Sequence, residues 1–395
     1  MVLLFPSDSI DKCVFFDVID IQTLILLLML IRPFRAVLPN MKLVSSPKTF
    51  FSSVREKYPN YKKGNFFRKA AKEAIYVIQI TREGEKHEGL VTCAHIDEFT
   101  SQRIKKHENT ISAKEQQQID LILSRGAGVK PVLVFHKEVK KISEWIKEVI
   151  GAKKRTYEVK FNDKEVHKIW SVTDAENVEH ICKLYKKHIK EAYIADGHHR
   201  CSSTALMSKN YAGESINPYE YLMTSFFPSN QLKIYDFNRI INLLDQISPV
   251  RFVAKLSKYC NIEPIKAYKS PSAKFEMTMY LRKEWYTIKW KKELLNSSTN
   301  ILLDANLMNK YIMTEILQIE DIRTDTRIKY LEGVKPLLTF KNHCNKLENG
   351  IGFVLYPVDI SDLVEVADQG KIMPPKSTWF EPRMKNGLLV QEFKL

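Results

Sequence analysis

The residues with the most chemical potential stand together at Asp196-Gly197-His198-His199-Arg200. They follow an apolar run, Ala192 to Ala195, and precede Cys201-Ser202-Ser203-Thr204-Ala205-Leu206-Met207, which reads as the opening of a helix. A strand, a turn and a helix start in this order suit an anion. Gly197 permits the turn and a close backbone approach. The helix start offers free N–H groups and partial positive charge. Arg200 can grip a phosphate through two parallel hydrogen bonds. His198 and His199 add donors, and Ser202 and Ser203, expected in the first helical turn, offer hydroxyls or simple caps. Asp196 has the oxygen chemistry of a Mg2+ ligand. A tight structural turn with His198 packed and Arg200 solvated explains the same residues, and composition does not separate the two. The P-loop pattern G-x-x-x-x-G-K is absent.

A second concentration is Arg103-Ile104-Lys105-Lys106-His107-Glu108-Asn109-Thr110. Glu108 has the chemistry of a general base for a hydroxyl nucleophile, or of a metal ligand. Taken alone it reads first as a carboxylate that complements a helix N-terminus. A third is Met373-Pro374-Pro375-Lys376-Ser377-Thr378. Lys376 could serve as a phosphate ligand, and Ser377 and Thr378 as hydroxyl donors, if the C-terminal half folds back on a pocket. The counter-reading is a proline-pinned edge over Trp379 and Phe380. His87 and His95 read as surface or packing residues. The neighbouring His and Cys residues (Cys93 with His95, His199 with Cys201, His343 with Cys344) lack metal-site spacing. Trp170, Trp290 and Trp379 read as core or pocket wall.

The elements that must position these residues can be sketched from hydropathy. Residues 74–80 and 87–96 read as two strands of a hairpin about the turn at 83–86. A helix is expected over 112–125, a short buried strand over 131–135, helices over 138–150 and 175–190, and a strand over 192–196. Residues 29–75 are broken by Pro33, Pro39, Pro47 and Pro59, which read as turn signals. The second half mixes strands and helices.

With 395 residues, 44% hydrophobic and 27% charged, the chain is neither disordered nor fibrous. Six cysteines with no C-x-x-C pair exclude a disulfide scaffold and fit a reducing, cytoplasmic setting. The net charge of +15 allows an acidic partner, but the basic residues lie in short clusters that read as solvated faces. Nucleic acid is therefore admitted and not favoured. The eight apolar residues at 24–31 fall short of the roughly 18–20 that cross a bilayer, so no membrane partner is expected. Met29 reads as the start of the domain, with 1–28 a doubtful extension, 29–215 an N-terminal domain and 216–395 a C-terminal one.

Five segments in order resemble one bacterial family, domain of unknown function 1015. They are 32–39 (R-P-F-R-A-V-L-P), 104–110 (I-K-K-H-E-N-T), 193–200 (Y-I-A-D-G-H-H-R), 232–239 (L-K-I-Y-D-F-N-R) and 373–382 (M-P-P-K-S-T-W-F-E-P). The resemblance runs from about residue 31 to the end. The chain departs from it at Pro47, where the family pattern is P-Y-D and this sequence has P-K-T, and in the segment after Glu108.

More distantly, the order of elements resembles the ParB/sulfiredoxin superfamily. That implies an α+β fold: a ParB/sulfiredoxin-like N-terminal half followed by a mixed α/β C-terminal half. Some members of the superfamily are kinases for free serine. The resemblance then implies a nucleotide-dependent phosphotransferase acting on a small hydroxyl metabolite. Glu108 would be the base, with His107 and Asp196 in the catalytic set. The turn from Gly197 to Arg200, with Ser202, Ser203, Lys376, Ser377 and Thr378, would hold ATP or ADP, and Mg2+ would sit at Asp196. A ParB-like nucleotide switch is the alternative. A sulfiredoxin-like redox role is disfavoured, because that group's reactive cysteine stands where this chain has His198, whereas Cys201 follows the arginine.

Overall fold

The computed structural model describes residues 29–243, 247–295 and 301–393. The apolar run at 24–31 and the question of a start at Met29 fall largely outside this range. Among the described residues no helix is long and apolar enough to cross a membrane. The five described cysteines are free thiols.

The architecture is α+β and is built on two sheets. The first is a nine-stranded mixed sheet of β1 (Ile31–Arg32), β2 (Ile75–Arg82), β3 (Glu85–His95), β4 (Ile104–Lys105), β5 (Val132–His136), β6 (Tyr157–Asn162), β7 (Glu165–Val172), β8 (Ala192–Asp196) and β9 (Tyr221–Pro228). The order is β4-β8-β5-β9-β3-β2-β7-β6, with β1 added beside β3. Helices α1 (Pro47–Lys63), α2 (Ser112–Arg125), α3 (Lys140–Ala152), α4 (Ala175–His188) and α5 (His198–Lys209) surround it. Alternate side chains of one strand enter opposite cores: Val132 and Val134 meet α3 and α4, while Leu133 and Phe135 meet the C-terminal segment. Burial on both faces explains why this strand reads as one unbroken apolar run.

The expected elements stand close to their expected bounds, with two differences. Pro47 and Pro59 are not turns: Pro59 lies inside α1, and Pro47 is its first residue. Ser46 caps the helix by accepting from the Thr49 N–H, and Phe50, Phe51, Val54 and Tyr58 make its buried stripe. Proline is well suited to that position, because its missing N–H would be unpaired there anyway. The second difference is that α5 begins at His198, so Ser202 and Ser203 lie in its second turn.

The second sheet is six-stranded and antiparallel. Its strands are β10 (Phe237–Asn242), β11 (Cys260–Ile265), β12 (Glu276–Leu281), β13 (Glu284–Trp290), β14 (Ile328–Glu332) and β15 (Gly350–Leu355), in the order β11-β13-β12-β15-β10-β14. The first sheet runs past the expected boundary at 215/216, because β9 pairs with both β3 and β5. The chain then returns. Trp379–Glu381 pairs antiparallel with Lys233–Tyr235, and Phe380, fully buried, stacks on Phe135 at 5.8 Å between ring centroids. Full burial of such a ring stabilises the docking by roughly 1.5–3 kcal/mol.

Asp236 sits at this junction and accepts from the Leu355 N–H at 3.0 Å. Burial pushes its carboxyl up to about 7, against the opposing pull of that N–H and of Arg239. An unfolded aspartate titrates near ~3.9, so the fold prefers the protonated form. The stability contributed by this group is full below about pH 4 and is lost as pH rises to about 7. Asp236→Asn is expected to abolish that decline: denaturant titrations at pH 4 and pH 7.5 should show the variant gaining on the parent protein as pH rises.

Candidate active site

Strand pairing explains why the motifs meet. β4 and β8 run parallel, with Ile104 opposite Ala192 and Lys105 opposite Tyr193. Their carboxyl ends therefore emerge together, which sets His107-Glu108 beside Asp196-Gly197. β5 runs antiparallel to β8, so its amino end, with Lys130 and Pro131, lies at the same edge. The returning C-terminal segment crosses this edge: the Met373 N–H donates to the His107 carbonyl at 2.9 Å, and Thr378 Oγ1 lies 3.4 Å from His107 Nε2. The result is a cavity of about 520 Å3 lined from both halves of the chain.

Asp196 organises its floor. Oδ2 accepts from Arg200 at 2.9 Å and from Lys130 at 3.1 Å, and Oδ1 accepts from Arg383 at 2.9 Å. Burial would raise this carboxyl, but the three cations outweigh it and hold it well below the usual range. Both oxygens are thus committed to cations. Among the described residues no group of three or more His, Cys, Asp or Glu is arranged to hold a metal. The expected Mg2+ ligand at Asp196 does not fit this geometry, since a metal there would meet three positive charges.

Gly197 has φ +112°, and a Cβ at this position would lie 2.5–2.9 Å from the Arg200 guanidinium. Only glycine admits both the backbone and the neighbour. No side chain caps the α5 N-terminus, which opens at this turn. Buried polar atoms without a partner gather here: His107 Nδ1, His198 Nε2, His199 Nδ1 and Arg200 Nε. Such atoms are rare in folded proteins and mark a place for water or ligand.

The two buried imidazoles stack edge to face, 4.6 Å apart. Burial pushes His107 down to about 4 and His198 well below its usual value, so both are neutral near pH 7. His198 Nδ1 lies 3.7 Å from Glu108 Oε2. Glu108 precedes α2 by four residues and so does not complement its N-terminus; the first-turn acid is Glu115. Burial raises the Glu108 carboxyl, opposed by Lys376 and Lys114. Eight Lys or Arg residues line the cavity against two carboxylates, Glu108 and Asp196. Its field therefore favours a multiply charged anion.

The other expected residues divide. Lys376 and Thr378 reach the cavity, Lys376 from a left-handed backbone (φ +58°) with its ammonium 5.0 Å over the Phe237 ring. Ser377 lines it too, but its hydroxyl donates to the Pro374 carbonyl at 2.7 Å and so pins the turn. Ser202 and Ser203 do not line it: the first donates to the Glu115 carboxylate and the second to the Glu115 carbonyl, which fastens α5 to α2. Sequence reasoning missed Lys130, Arg383, Lys114 and Arg323. Arg383 directly follows the 373–382 motif and Lys130 directly precedes the 131–135 strand, and these were the available signals; Arg323 offered none.

The fold and site define an α+β protein with a cationic cavity at a strand–turn–helix junction. Residues 32–314 match the family described as "Protein of unknown function (DUF1015)", and the chain belongs to that family. The sequence matches no curated protein. Among solved structures it is similar to SbnI with C-terminal truncation from Staphylococcus aureus, at 11% identity and TM-score 0.40, over 75% of this chain and 85% of that one. It is also similar to a free serine kinase in complex with AMP, at 11% identity and TM-score 0.37, over 76% and 92%. A conserved hypothetical protein from Pyrococcus furiosus shows 11% identity and TM-score 0.36, over 75% and 93%.

Replacing Asp196 by Asn strands three cations beside one another. Removing one partner of a buried ion pair costs roughly 3–5 kcal/mol, and the residual solvent access of Asp196 places the variant toward the lower end. Thermal unfolding of Asp196→Asn should show this loss, and added inorganic phosphate should restore part of it by supplying the missing negative charge.

Proposed function

We propose that the protein is a nucleotide-dependent phosphotransferase acting on a small hydroxyl metabolite, with ATP or ADP as phosphoryl donor. The observation that carries the reading is one partly desolvated carboxylate, Glu108, 3.7 Å from the neutral His198 imidazole, at the margin of a cavity otherwise dominated by cations and an uncapped helix start. Phosphoryl transfer asks mainly for positioning and neutralisation of charge. In this reading Lys130, Arg200, Arg383 and the first N–H groups of α5 hold the phosphates, with Gly197 allowing their approach. Asp196 sets the positions of the three cations. His198 and Thr378 border the reacting groups, and His107 supports them from beneath.

The acceptor hydroxyl gives its proton to Glu108. Its oxygen forms the new bond to the terminal phosphorus, and the bridging P–O bond breaks, with its electron pair remaining on the departing nucleotide. The His198 imidazole beside Glu108 is neutral, and among the described residues no Lys or Arg forms a salt bridge with it, so Glu108 retains basicity. Free serine is the acceptor that the superfamily resemblance puts first.

The test is a phosphotransfer assay with ATP or ADP, Mg2+ and a pool of hydroxy amino acids and small alcohols, read by phosphorus NMR. A new phosphomonoester is expected. Glu108→Gln should lower turnover by about 10²–10⁴-fold while nucleotide still binds. Arg200→Ala should instead weaken nucleotide binding by ~10- to 100-fold, the worth of a charge-assisted hydrogen bond. Nucleotide bound or slowly hydrolysed with no acceptor product would overturn the reading in favour of a nucleotide-gated switch.

The pH dependence gives an independent check. Glu108 acts only when ionised, so turnover should rise with pH through an apparent pKa above the ordinary glutamate value of about 4.3. Lys376 opposes that upward shift. Lys376→Met should therefore move the acid limb of kcat to still higher pH.

A further inference from the structure

The C-terminal half supplies one wall of the cavity that Glu108 lines, and phosphate binding alone does not account for its composition. Phe237, Ile322 and Tyr330 line the cavity there, with Arg323 and Lys376 among them, while Trp379 also lines the cavity but has the Arg383 guanidinium 3.6 Å over its ring. The wall is internally braced. Tyr330 Oη donates to the Ile322 carbonyl at 3.1 Å, and Phe237 meets Trp379 edge to face at 5.8 Å. Arg323 stands on a short turn fixed by Asp321, whose Oδ1 accepts the Arg323 N–H at 2.8 Å. Its backbone is held while its exposed guanidinium has no ion-pair partner among the described residues. The segment that carries Lys376 touches His107, the neighbour of Glu108, through the Met373 N–H and Thr378 Oγ1, and Lys376 lies over Phe237, so this wall and Glu108 border the same cavity.

The other side of Glu108 is the Asp196 cluster and the α5 start. A phosphoryl group passing from there to an oxygen at Glu108 leaves the body of the acceptor facing the C-terminal wall. That wall offers apolar and aromatic surface together with a free cation. Resting on the phosphotransferase reading, we propose that the acceptor is a hydroxy acid with an apolar or aromatic body: its acid group pairs with Arg323, and its body lies against Ile322 and Tyr330. Serine, with a single methylene between its backbone and its hydroxyl, leaves that surface uncovered and is a poor acceptor.

The experiment uses the full chain with saturating nucleotide and Mg2+, and three probes: L-serine, L-threo-3-phenylserine, and 2-amino-1-phenylethanol, which lacks the carboxylate. Phenylserine should exceed serine in kcat/KM by ~10-fold or more, the scale on which added apolar contact discriminates. The amino alcohol should lose most of that gain. Arg323→Ala should erase the preference for phenylserine over the amino alcohol by raising the KM for the acid, and Arg323→Lys should restore it. Ile322→Ala should narrow the gap between phenylserine and serine. Serine equal to or better than phenylserine, or acid preference intact in Arg323→Ala, overturns the proposal. If no probe is phosphorylated, the acceptor-pool assay decides the phosphotransferase reading separately. Calorimetry of phenylserine on the ADP-loaded protein then decides the chamber: binding that disappears in Arg323→Ala supports it, and no binding overturns it.

Discussion

One half-buried carboxylate holds the site together. Asp196 accepts hydrogen bonds from Lys130, Arg200 and Arg383, which come from the loop before β5, from α5 and from the C-terminal segment. Without it, three like charges would repel within a few ångströms. With it, they are drawn to one point and still carry excess positive charge. The same contact closes the chain on itself, since Arg383 lies 187 positions beyond Asp196. Stability and ligand field thus depend on the same oxygen atoms.

The C-terminal segment reaches that point because apolar contacts deliver it. Phe380 is buried against Phe135 and near His107, and its strand pairs with Lys233–Tyr235. The motif at 232–239 accordingly has little direct chemistry. Its first residues hold the returning strand, Asp236 ties β10 to β15, Phe237 supports Lys376, and Arg239 is buried behind them. The two halves meet along a seam, and the cavity is the part of the seam that side chains leave open.

Within the cavity, burial sets the charge states. His107 and His198 are packed against one another and so stay neutral, while Glu108, only partly desolvated, stays titratable. Cations divide between a partly buried set committed to Asp196 and a more exposed set (Lys114, Arg323, Lys376) around Glu108. A site with two such regions can treat two anionic partners differently: one meets fixed, preorganised donors, and the other meets solvent-exposed side chains at the rim.

Much of the first sheet was legible because its strands are short apolar runs between turn signals, and local periodicity carries that information. The Asp196–Arg200 turn was legible as an anion site for the same local reason: glycine, helix start and arginine are consecutive. Helix α1 was not, because Pro47 and Pro59 mask its apolar stripe. Nor were the roles of the serines. Whether Ser202 faces a ligand or Glu115 depends on where α5 starts and on which helix packs beside it, and that is a long-range outcome. The sequence by itself determined the residue types able to bind phosphate and the strand–turn–helix unit that displays them. Only the tertiary structure decided that Asp196 binds cations in place of a metal, that Arg323 and Arg383 join the site, and that Glu108 is partly desolvated. Those properties arise from contacts between segments far apart in sequence, and no local pattern encodes the distance between them.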